Sequence, residues 1–569
     1  MVEQKSRTEI LKTLLLLVVT GVSIGMVMAV VSNGFVRGVR WLTEGYQSAG
    51  WLDFTAYGFQ LSVMPLVVIF TAATLILVVR HYFGLQRFHG PADSIYAAHR
   101  ADNELDLKSG FGSTLSAFIS AAGGASVGLY GPLVHFGATM GSYLKHITRS
   151  GLTTDIFLGC GVAGAISAGF NAPAAGILFA HEAILRHFSL RAVTPIAISS
   201  LVAASFSKYV FGDVQVFEVT QIPADLISVQ PLALALGPVF GLIGVALMVT
   251  IRRTAQWGAA SGLGPRKLIY LAAGICGTVG IFIPEILGLG SDGVRDMLAG
   301  QIAPGYLGLL LVAKILMSAL CIGLGMFGGV FSPALFVGAA AGALSGAVLS
   351  QFVGGDIILP LTVAGMAAVI APVIGAPISV ALIILEMTGS YEMTLLALGA
   401  VVTSALTSSM IFGHSFFDRQ LLDRGIDIKR GRGHLGLMET PIGTILTDEY
   451  IHFGQQATVA EVMAGMVKAD LTEAYIIAPD GCFFGKVILT GLIDKPATAM
   501  IADYADRNPL SIKHDASLQQ SIEAASAFVG EAIPVIDRDK NMLLGVVSEA
   551  DIFMAYLKLQ STVIDLETR

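Results

Sequence analysis

The stretch Gly128-Leu-Tyr-Gly-Pro132-Leu-Val-His-Phe-Gly137-Ala138 occurs a second time, in altered form, as Gly329-Val-Phe-Ser-Pro333-Ala-Leu-Phe-Val-Gly338-Ala339. The shared Gly, Pro, Gly and Ala residues fall in register at an offset of 201 residues. A Gly-x-x-x-Pro pattern can recur by chance in a glycine-rich chain, so a second repeated motif is needed to support a duplication.

The second repeated motif links a proline to a glutamate. Asn171-Ala-Pro173 leads to Glu182, and Gly375-Ala-Pro377 leads to Glu386, with nine residues from Pro to Glu in both cases. The offset between these two copies is 204 residues. Two paired motifs at nearly one offset predict a duplicated unit, an arrangement typical of membrane transporters.

The composition is that of a membrane protein. Of the 569 residues, 54% are hydrophobic and 13% are charged, whereas soluble domains carry about 25% charged residues. The mean hydropathy of +0.74 also excludes a disordered scaffold. The net charge of −7 leaves no basic surface for nucleic acid. The four scattered cysteines lack the spacing of a metal site, so we expect them to be small core residues.

Charged residues are concentrated near the end of the chain. Residues 438–569 contain 19 acidic and 9 basic residues, whereas residues 1–437 contain 22 acidic and 25 basic residues. We therefore predict a transmembrane domain over residues 1–425, with repeats at about 60–210 and 230–415. A linker over 426–439, a small water-soluble domain over 440–560 and a tail over 561–569 would follow it.

The apolar segments predict helices of unequal length. The first apolar run is too long for a signal peptide, so we predict a retained helix, and Lys5, Arg7 and Lys12 before it place the N-terminus in the cytoplasm. The next clear span is Leu61–Val79. Many later segments are broken by Gly or Pro and are shorter than the roughly 20 residues that cross a bilayer. Broken helices at membrane depth are tolerated where they are buried in protein or line an aqueous cavity.

A Gly-x-x-x-Pro motif suits the start of such a broken helix. Proline fits the first turn, where its missing N–H costs nothing, and glycine permits a close approach of the backbone to a ligand. The free N–H groups of that turn and the helix dipole favour an anion. We expect Tyr130–Gly131 and Val330–Phe331 to supply these donors from the two repeats.

These motifs resemble those of the CLC chloride channel/transporter family. Residues 123–132 resemble the family's Gly-Lys/Arg-Glu-Gly-Pro segment, and residues 329–333 are similar to its Gly-x-Phe-x-Pro segment. Residues 170–182 and 375–388 match further segments in the family's order. The resemblance covers most of residues 10–425. It implies an all-α polytopic membrane protein with inverted repeats and broken helices, assembled as a homodimer in which each subunit has its own anion pathway.

Two departures from the family pattern concern proton coupling. The family's gating glutamate falls on Tyr130, and its intracellular proton glutamate falls on Ala183, directly after Glu182. A tyrosine hydroxyl, with a pKa of about 10, replaces a carboxylate poorly near neutral pH. It can still donate a hydrogen bond to an anion or block the path with its ring. We interpret Glu182 as a structural residue.

Two further departures concern the anion ligands. His89 and Gly90 lie near the place of the family's central serine, and the family's pore tyrosine falls on Phe417. His89 could donate to an anion or attract one when protonated, or it could be a neutral loop residue. We expect His135, in a Pro-Leu-Val-His pattern common in the family, to be structural.

The acidic tail contains its own repeat. Residues 473–488 resemble residues 531–548, and each copy predicts two short strands joined by a turn. The tail resembles a pair of CBS (cystathionine β-synthase type) domains, a small α/β module. Its second copy retains Ser548 and Asp551 of the module's ribose-binding stretch, whereas the first has Ile488 and Gly491 there. If the pair binds a ligand, we expect an adenine nucleotide; otherwise Ser548 caps a helix and the pair dimerises.

The sequence thus predicts passive transport of chloride or similar small anions without proton coupling. Two alternatives stay open: an antiporter or carrier of a larger organic anion, coupled through another group such as His89, and a non-conducting sensor of a CBS ligand. No cofactor is required, no metal site is expected, and the motifs of hydrolases, metalloproteases and P-loop enzymes are missing from the sequence. The expected partners are the anion, the lipid bilayer and a second copy of the chain. We expect a multi-pass inner-membrane protein with both termini in the cytoplasm.

Overall fold

The structure is a computed structural model that describes residues 7–48, 52–56, 59–100, 103–148, 152–212, 226–353 and 356–568. Two compact units make up the chain. One comprises residues 1–98 and 102–426, and the other comprises residues 99–101 and 427–569. The domain boundaries given above stay predictions at the level of individual residues.

The first half of the larger unit is helical apart from one short hairpin of strands β1 (Asp53–Ala56) and β2 (Phe59–Ser62). Its α helices are α1 (Arg7–Gln47), α2 (Met64–Phe83), α3 (Pro91–His99), α4 (Leu107–Ala122), α5 (Tyr130–Thr148), α6 (Thr154–Phe170), α7 (Pro173–Phe179) and α8 (Leu190–Phe211). A π-helical turn, Ala180–Leu185, extends α7. The predicted second span begins later than expected, because Leu61 and Ser62 pair in β2 and Pro65 occupies the first turn of α2.

The second half of the larger unit repeats this pattern of long and short helices. Its α helices are α9 (Gln230–Ala260), α10 (Pro265–Phe282), α11 (Ser291–Leu298), α12 (Pro304–Leu324), α13 (Phe331–Val353), α14 (Ile358–Ile374), α15 (Pro377–Thr388), α16 (Tyr391–Ile411) and α17 (Phe416–Leu422).

The helices fall into two classes by length. Within the described part of the chain, seven helical segments are long and apolar enough to cross a membrane. Four shorter apolar segments lie among them, namely Thr154–Phe170, Pro173–Leu185, Ile358–Ile374 and Pro377–Thr388. The prediction of short, Pro- and Gly-broken helices within a membrane body is therefore confirmed.

Equivalent glycine contacts hold equivalent helix pairs together in the two halves. A Cβ placed on Gly137 of α5 would lie 2.3 Å from the carbonyl oxygen of Gly161 on α6. A Cβ placed on Gly338 of α13 would lie 2.4 Å from the carbonyl oxygen of Gly365 on α14. Only glycine permits these crossings, as in closely packed transmembrane helices. The two glycine pairs are offset by 201 and 204 residues, the same offsets as the sequence motifs.

The smaller unit contains two similar α/β repeats. Helix α18 (Gly431–Glu439) precedes β3 (His452–Gly454), α19 (Val459–Ala469), β4 (Glu473–Ile477) and β5 (Phe483–Ile488) in the first repeat. The second repeat contains β6 (Ile512–Lys513), α20 (Leu518–Ala525), β7 (Ile533–Ile536), β8 (Leu543–Val547) and α21 (Glu549–Thr568). The strand orders are β3-β4-β5 and β6-β7-β8, each with one parallel and one antiparallel pairing. The predicted strand pairs, β4–β5 and β7–β8, are confirmed. Helix α21 continues through residues 561–568, which the sequence analysis assigned to the tail.

Candidate functional site: paired helix starts

The two Gly-x-x-x-Pro motifs meet directly in the structure. The N–H of Gly128 donates to the carbonyl of Gly329 at 2.7 Å, and the N–H of Gly329 donates back to Gly128 at 2.6 Å. Helix α5 begins two residues after Gly128, and α13 begins two residues after Gly329. The duplicated motifs therefore place two helix N-termini side by side near the junction of the two halves.

The first turns of both helices retain free N–H groups. After these turns, the N–H of Leu133 donates to the carbonyl of Leu129, and the N–H of Ala334 donates to the carbonyl of Val330, both at 3.0 Å. Earlier N–H groups of an α helix have no acceptor within the helix. The N–H groups of Tyr130, Gly131 and Phe331 lie in these first turns. The aligned peptide dipoles of the helices add positive potential there. This arrangement suits an anion and uses no charged side chain.

Three aromatic rings pack where the helix starts meet. The ring of Tyr130 stacks on Phe170, the last residue of α6, with a centroid separation of 3.8 Å. Phe331 lies 5.4 Å from Tyr130 and 4.9 Å from Phe170 by the same measure. All three side chains are buried. We refer to Tyr130, Phe170 and Phe331 as the aromatic cluster; it fills the space beside the two first turns.

The loop before α3 lies against the same helix starts. A Cβ on Gly131 would lie 3.2 Å from Cα of Gly329 and 3.5 Å from Cγ of Pro91. A Cβ on Gly90 would lie 3.7 Å from the ring of Phe327, two residues before Gly329. The predicted site residues His89 and Gly90 therefore belong to a loop that adjoins both motifs.

Asp93 fixes this loop by binding two arginines and a backbone N–H. Its carboxylate accepts from Arg87 at 2.6 Å, from Arg424 at 2.8 Å and from the N–H of Gly90 at 2.9 Å. The N–H of His89 donates to the hydroxyl of Ser113 at 2.9 Å. The carboxylate is 6% exposed, and both arginines bind its Oδ1, so residues near both ends of the larger unit's sequence hold the loop.

The imidazoles of His89 and His135 face each other next to this loop. Their ring centroids are 6.2 Å apart. Nδ1 of His135 shares a 2.8 Å hydrogen bond with the hydroxyl of Ser94. Nε2 of His135 is buried and has no hydrogen-bond partner in the described structure. A structural role for His135 explains the hydrogen bond of its Nδ1. It does not explain why its buried Nε2 has no partner.

Glu182 and Glu386 cap each other's helices across the repeats. The carboxylate of Glu182 accepts from the N–H groups of Ile378 and Ser379 at 3.0 and 2.7 Å, in the first turn of α15. The carboxylate of Glu386 accepts from Ala174 and Ala175, both at 2.9 Å, in the first turn of α7. A carboxylate at a helix N-terminus is stabilising. The geometry therefore gives Glu182 a structural task, and the adjacent Ala183 is buried in the π-helical turn.

Phe417, the predicted pore residue, lies in the first turn of α17. It is buried in α17 and makes an edge contact with Phe416, at a centroid separation of 6.0 Å. The hydroxyl of Ser415, which caps α17, accepts from the N–H of Asp418 at 3.2 Å. The contacts described here connect Phe417 to α17 rather than to the aromatic cluster, so its predicted role in the pore rests on the sequence resemblance.

In the smaller unit, Ser548 and Asp551 cap a helix together. The hydroxyl of Ser548 donates to Oδ2 of Asp551 at 2.6 Å, and the N–H of Asp551 donates to that hydroxyl at 3.1 Å. The N–H of Ser548 also donates to Oδ2, at 2.9 Å. This is the cap of α21. In the first repeat, Ile488 ends β5 and Gly491 ends a 3₁₀ turn, so the equivalent positions lack these groups.

A buried ion pair within the first repeat of the smaller unit lies at its contact with the second repeat. Lys486 and Glu473 are 2.6 Å apart and almost wholly buried. Nζ of Lys486 and the hydroxyl of Tyr475 both donate to the carbonyl of Ala532, at 3.2 and 3.0 Å. Burial and the neighbouring carboxylate of Glu473 raise the pKa of Tyr475, so its hydroxyl remains a donor at neutral pH.

Sequence reasoning missed several residues of this site. Phe170 is the first residue of the family-like segment 170–182. Its contact with Tyr130, however, depends on how the end of α6 packs against the start of α5. The joint contact of Arg87 and Arg424 with Asp93 spans more than 330 residues, and no sequence spacing indicates it. The reciprocal caps of Glu182 and Glu386 had a signal, because both glutamates follow a proline by nine residues in the repeat.

Comparisons with known proteins agree with this architecture. The family model described as voltage gated chloride channel matches residues 72–409, and the CBS domain model matches residues 501–558. A ClcB-like protein of Ralstonia nicotianae is 30% identical over 362 residues, covering 62% of this chain and 84% of its own length. The H(+)/Cl(-) exchange transporter ClcA of Yersinia pestis is 28% identical over 422 residues, covering 71% and 87%.

Two solved structures share the fold. A slow cyanobacterial Cl−/H+ antiporter is 20% identical, with a TM-score of 0.62, and the match covers 72% of this chain and 97% of that one. A eukaryotic CLC transporter is 19% identical, with a TM-score of 0.62, covering 95% and 98%. At these identities the likeness concerns the fold.

Proposed function

Since the chain belongs to the voltage gated chloride channel family, a family of anion transporters and channels, we propose that it carries chloride or similar small anions passively, without exchanging protons. The observation that carries this proposal is the direct pairing of Gly128 with Gly329. The pairing brings two helix N-termini together, and their backbone N–H groups can hold an anion whatever the side chains are. An anion site built this way requires no titratable group.

The residue at the gate supports uncoupled transport. Tyr130 occupies the place where the resemblance puts a glutamate, and its ring stacks on Phe170 and makes an edge contact with Phe331. A phenol does not release its proton near neutral pH. It therefore cannot occupy the anion site as a negative charge in turn with the anion, as a carboxylate does. We assign Tyr130 the role of an aromatic gate whose movement opens the path.

The inner proton position supports the same conclusion. Ala183 has no titratable side chain, and the carboxylate of the adjacent Glu182 accepts hydrogen bonds from Ile378 and Ser379. A carboxylate that accepts hydrogen bonds from two backbone N–H groups is held in a fixed position. Glu182 is therefore a cap of α15 in this proposal rather than a proton carrier.

Proton-coupled antiport is the second candidate, and one observation favours it. Nε2 of His135 is buried without a partner, and His89 lies 6.2 Å away, measured between ring centroids. Two imidazoles beside an anion path could carry a proton where the glutamates are missing. Relatives that are named H(+)/Cl(-) exchange transporters also support this candidate. A carrier of a larger organic anion, and a sensor whose aromatic cluster never opens, are further alternatives.

Reconstitution of the full chain in liposomes separates these candidates. Chloride-loaded vesicles with a potassium ionophore should release chloride, and the external pH should stay constant. Proton movement against its gradient, driven by a chloride gradient, would establish the antiporter and refute the proposal. Vesicles that hold chloride under every gradient would favour the sensor. Repeating the assay with nitrate, fluoride and a small organic acid defines the anion preference.

The remaining features of the proposal concern assembly and regulation. We infer a homodimer in the inner membrane with both termini in the cytoplasm, as the family resemblance and the basic N-terminus indicate. We infer that the CBS pair can bind an adenine nucleotide at Ser548 and Asp551. Because these residues already cap α21, binding would have to replace part of that cap. Calorimetry of the full chain with ATP, compared with Asp551→Asn, tests this inference.

A further inference from the structure

A cavity lies where α9, α12 and α17 meet. It has a volume of about 150 Å³ and shares no lining residue with the paired helix starts. Its wall is mainly apolar and includes Met248, Ile251 and Phe416. Three charged side chains, Arg252, Arg419 and Asp423, complete the lining. An apolar pocket with a few convergent charged groups is the usual form of a ligand site.

The charges in this cavity do not balance. Arg252 donates to both oxygens of Asp423, at 2.7 and 2.9 Å. Arg419 approaches the same carboxylate at 3.4 Å, but its Nε is buried and makes no hydrogen bond in the described structure. The pairing with Arg252 lowers the pKa of Asp423, so the carboxylate is ionised at neutral pH. Two guanidinium groups thus face one carboxylate, which leaves one positive charge in surplus.

Both arginines can still reach an outside ligand. Their side chains are 31% and 34% exposed. A guanidinium has five N–H donors in a planar fork, which suits phosphate as well as carboxylate. Arg252 uses two of its donors on Asp423, and Arg419 has no short bond to it. The cavity therefore offers several unused donors to an anion.

The surroundings of the cavity are those of a membrane surface. Trp257, Met410 and Ile411 are large apolar residues near the ends of α9 and α16, and each is more than half exposed. With 31 residues, α9 is about 46 Å long, which exceeds the roughly 30 Å hydrocarbon core of a bilayer. Helix α9 is thus long enough to extend beyond the core, and we place its Arg252- and Trp257-bearing end at the level of the lipid headgroups, because tryptophan is enriched there.

We propose that this cavity binds the phosphodiester of an anionic phospholipid, such as phosphatidylglycerol. The phosphate takes the donors of Arg252 and Arg419, and the acyl chains lie along the exposed apolar faces of α9 and α16. Basic pockets between transmembrane helices commonly bind anionic headgroups. The inference depends on placement in a bilayer and is independent of which anion the protein carries.

The bound lipid would stabilise α17. Phe416 forms part of the cavity wall and its neighbour Phe417 is buried on the same helix. Ser415, at the start of α17, packs closely on Gly375, which precedes α15. A lipid held by Arg252 and Arg419 would therefore connect α9 to α17.

Native mass spectrometry of the full chain in detergent tests the proposal without any transport assay. Phosphatidylglycerol is added at equal concentration to phosphatidylcholine, and lipids retained by the protein are counted. The wild type should retain phosphatidylglycerol several-fold better than phosphatidylcholine. The variant Arg252→Gln with Arg419→Gln should lose this preference. Arg253→Gln, which removes an exposed arginine outside the cavity, is the matched control and should keep it.

A second variant decides the matter if the double variant does not fold. Asp423→Asn removes the competing carboxylate and should increase retention of phosphatidylglycerol, because both arginines are then unpaired. Equal retention of the two lipids by the wild type, or reduced retention by Asp423→Asn, would overturn the proposal. Displacement of the lipid by millimolar inorganic phosphate would also overturn it, since the site would then bind the free ion.

Discussion

Tyr130 is the residue on which the proposed transport mechanism depends most. Its ring is packed against Phe170 and Phe331 at the point where α5 and α13 begin. Truncation to alanine removes the stacked ring but keeps the backbone N–H. We expect Tyr130→Ala to raise the chloride flux through liposomes several-fold. Phe136→Ala, which truncates an aromatic residue later in α5, is the control; if both variants lower the flux, the ring of Tyr130 is not a gate.

Replacing Tyr130 with glutamate should introduce pH dependence. An ionised carboxylate beside two helix N-termini competes with the anion, and protonation removes that competition. We expect Tyr130→Glu to conduct less than the wild type at pH 7 and to regain flux as the pH falls through the pKa of the new glutamate. Flux measured from pH 4 to pH 8 checks this. A flat profile equal to that of the wild type would remove Tyr130 from the pathway.

Sequence reasoning reached the residues of the repeated motifs but not their neighbours. The repeat predicted helix starts at residues 130–131 and 330–331, and Gly128 and Gly329, which occupy equivalent positions in it, pair directly in the structure. The contacts of Asp93 with Arg87 and Arg424 had no such signal. A single polar residue can find its partner anywhere in the fold, so only the three-dimensional packing identifies it.

At the scale of elements, the reciprocal caps of α7 and α15 are a testable feature. Glu182→Gln keeps one acceptor for the first turn of α15 but removes the charge, so we expect it to lower stability by about 0.5–2 kcal/mol. Thermal unfolding of the purified protein in detergent measures the loss. Glu386→Gln, the equivalent change at α7, should cost a similar amount. Neither variant should alter proton movement; a changed proton flux in Glu182→Gln alone would contradict its structural role.

The buried ion pair of the smaller unit provides a second test at this scale. Lys486→Met leaves the carboxylate of Glu473 buried without its cation, which costs roughly 3–5 kcal/mol in comparable cases. Hydrogen exchange of β4 and β5 in the full chain should become much faster. Changing Glu473 to methionine as well should restore most of the protection. If the double variant exchanges as fast as the single one, the pair stabilises the strands by packing rather than by charge.

Element lengths were predictable where proline and glycine mark the ends. Helices α7 and α15 begin at Pro173 and Pro377, the prolines of the repeated motif, and short apolar helices were expected from the short apolar segments of the sequence. The predicted start of α2 was too early. Leu61 is as apolar as the residues of the helix, but it belongs to strand β2 of the hairpin. Hydropathy cannot distinguish an apolar strand from the end of a helix.

At the scale of the whole molecule, the duplication explains why a weakly charged protein can hold an anion. Two copies of one unit each contribute a helix start, and the Gly128–Gly329 bonds join them. The equivalent glycine crossings bring α5 close to α6 and α13 close to α14. In the proposed mechanism the potential at the junction comes from main-chain dipoles, so a change of side chain would remove proton coupling while the anion site remains.

The reversal of chloride flux tests this account most directly. Liposomes containing the full chain are given a chloride gradient and a pH gradient, and a potassium ionophore sets the membrane potential. We predict that net chloride flux reverses at the Nernst potential of chloride and that this potential does not change when the pH gradient is varied. A reversal potential that moves with the pH gradient would show that protons are exchanged for anions and would contradict the account.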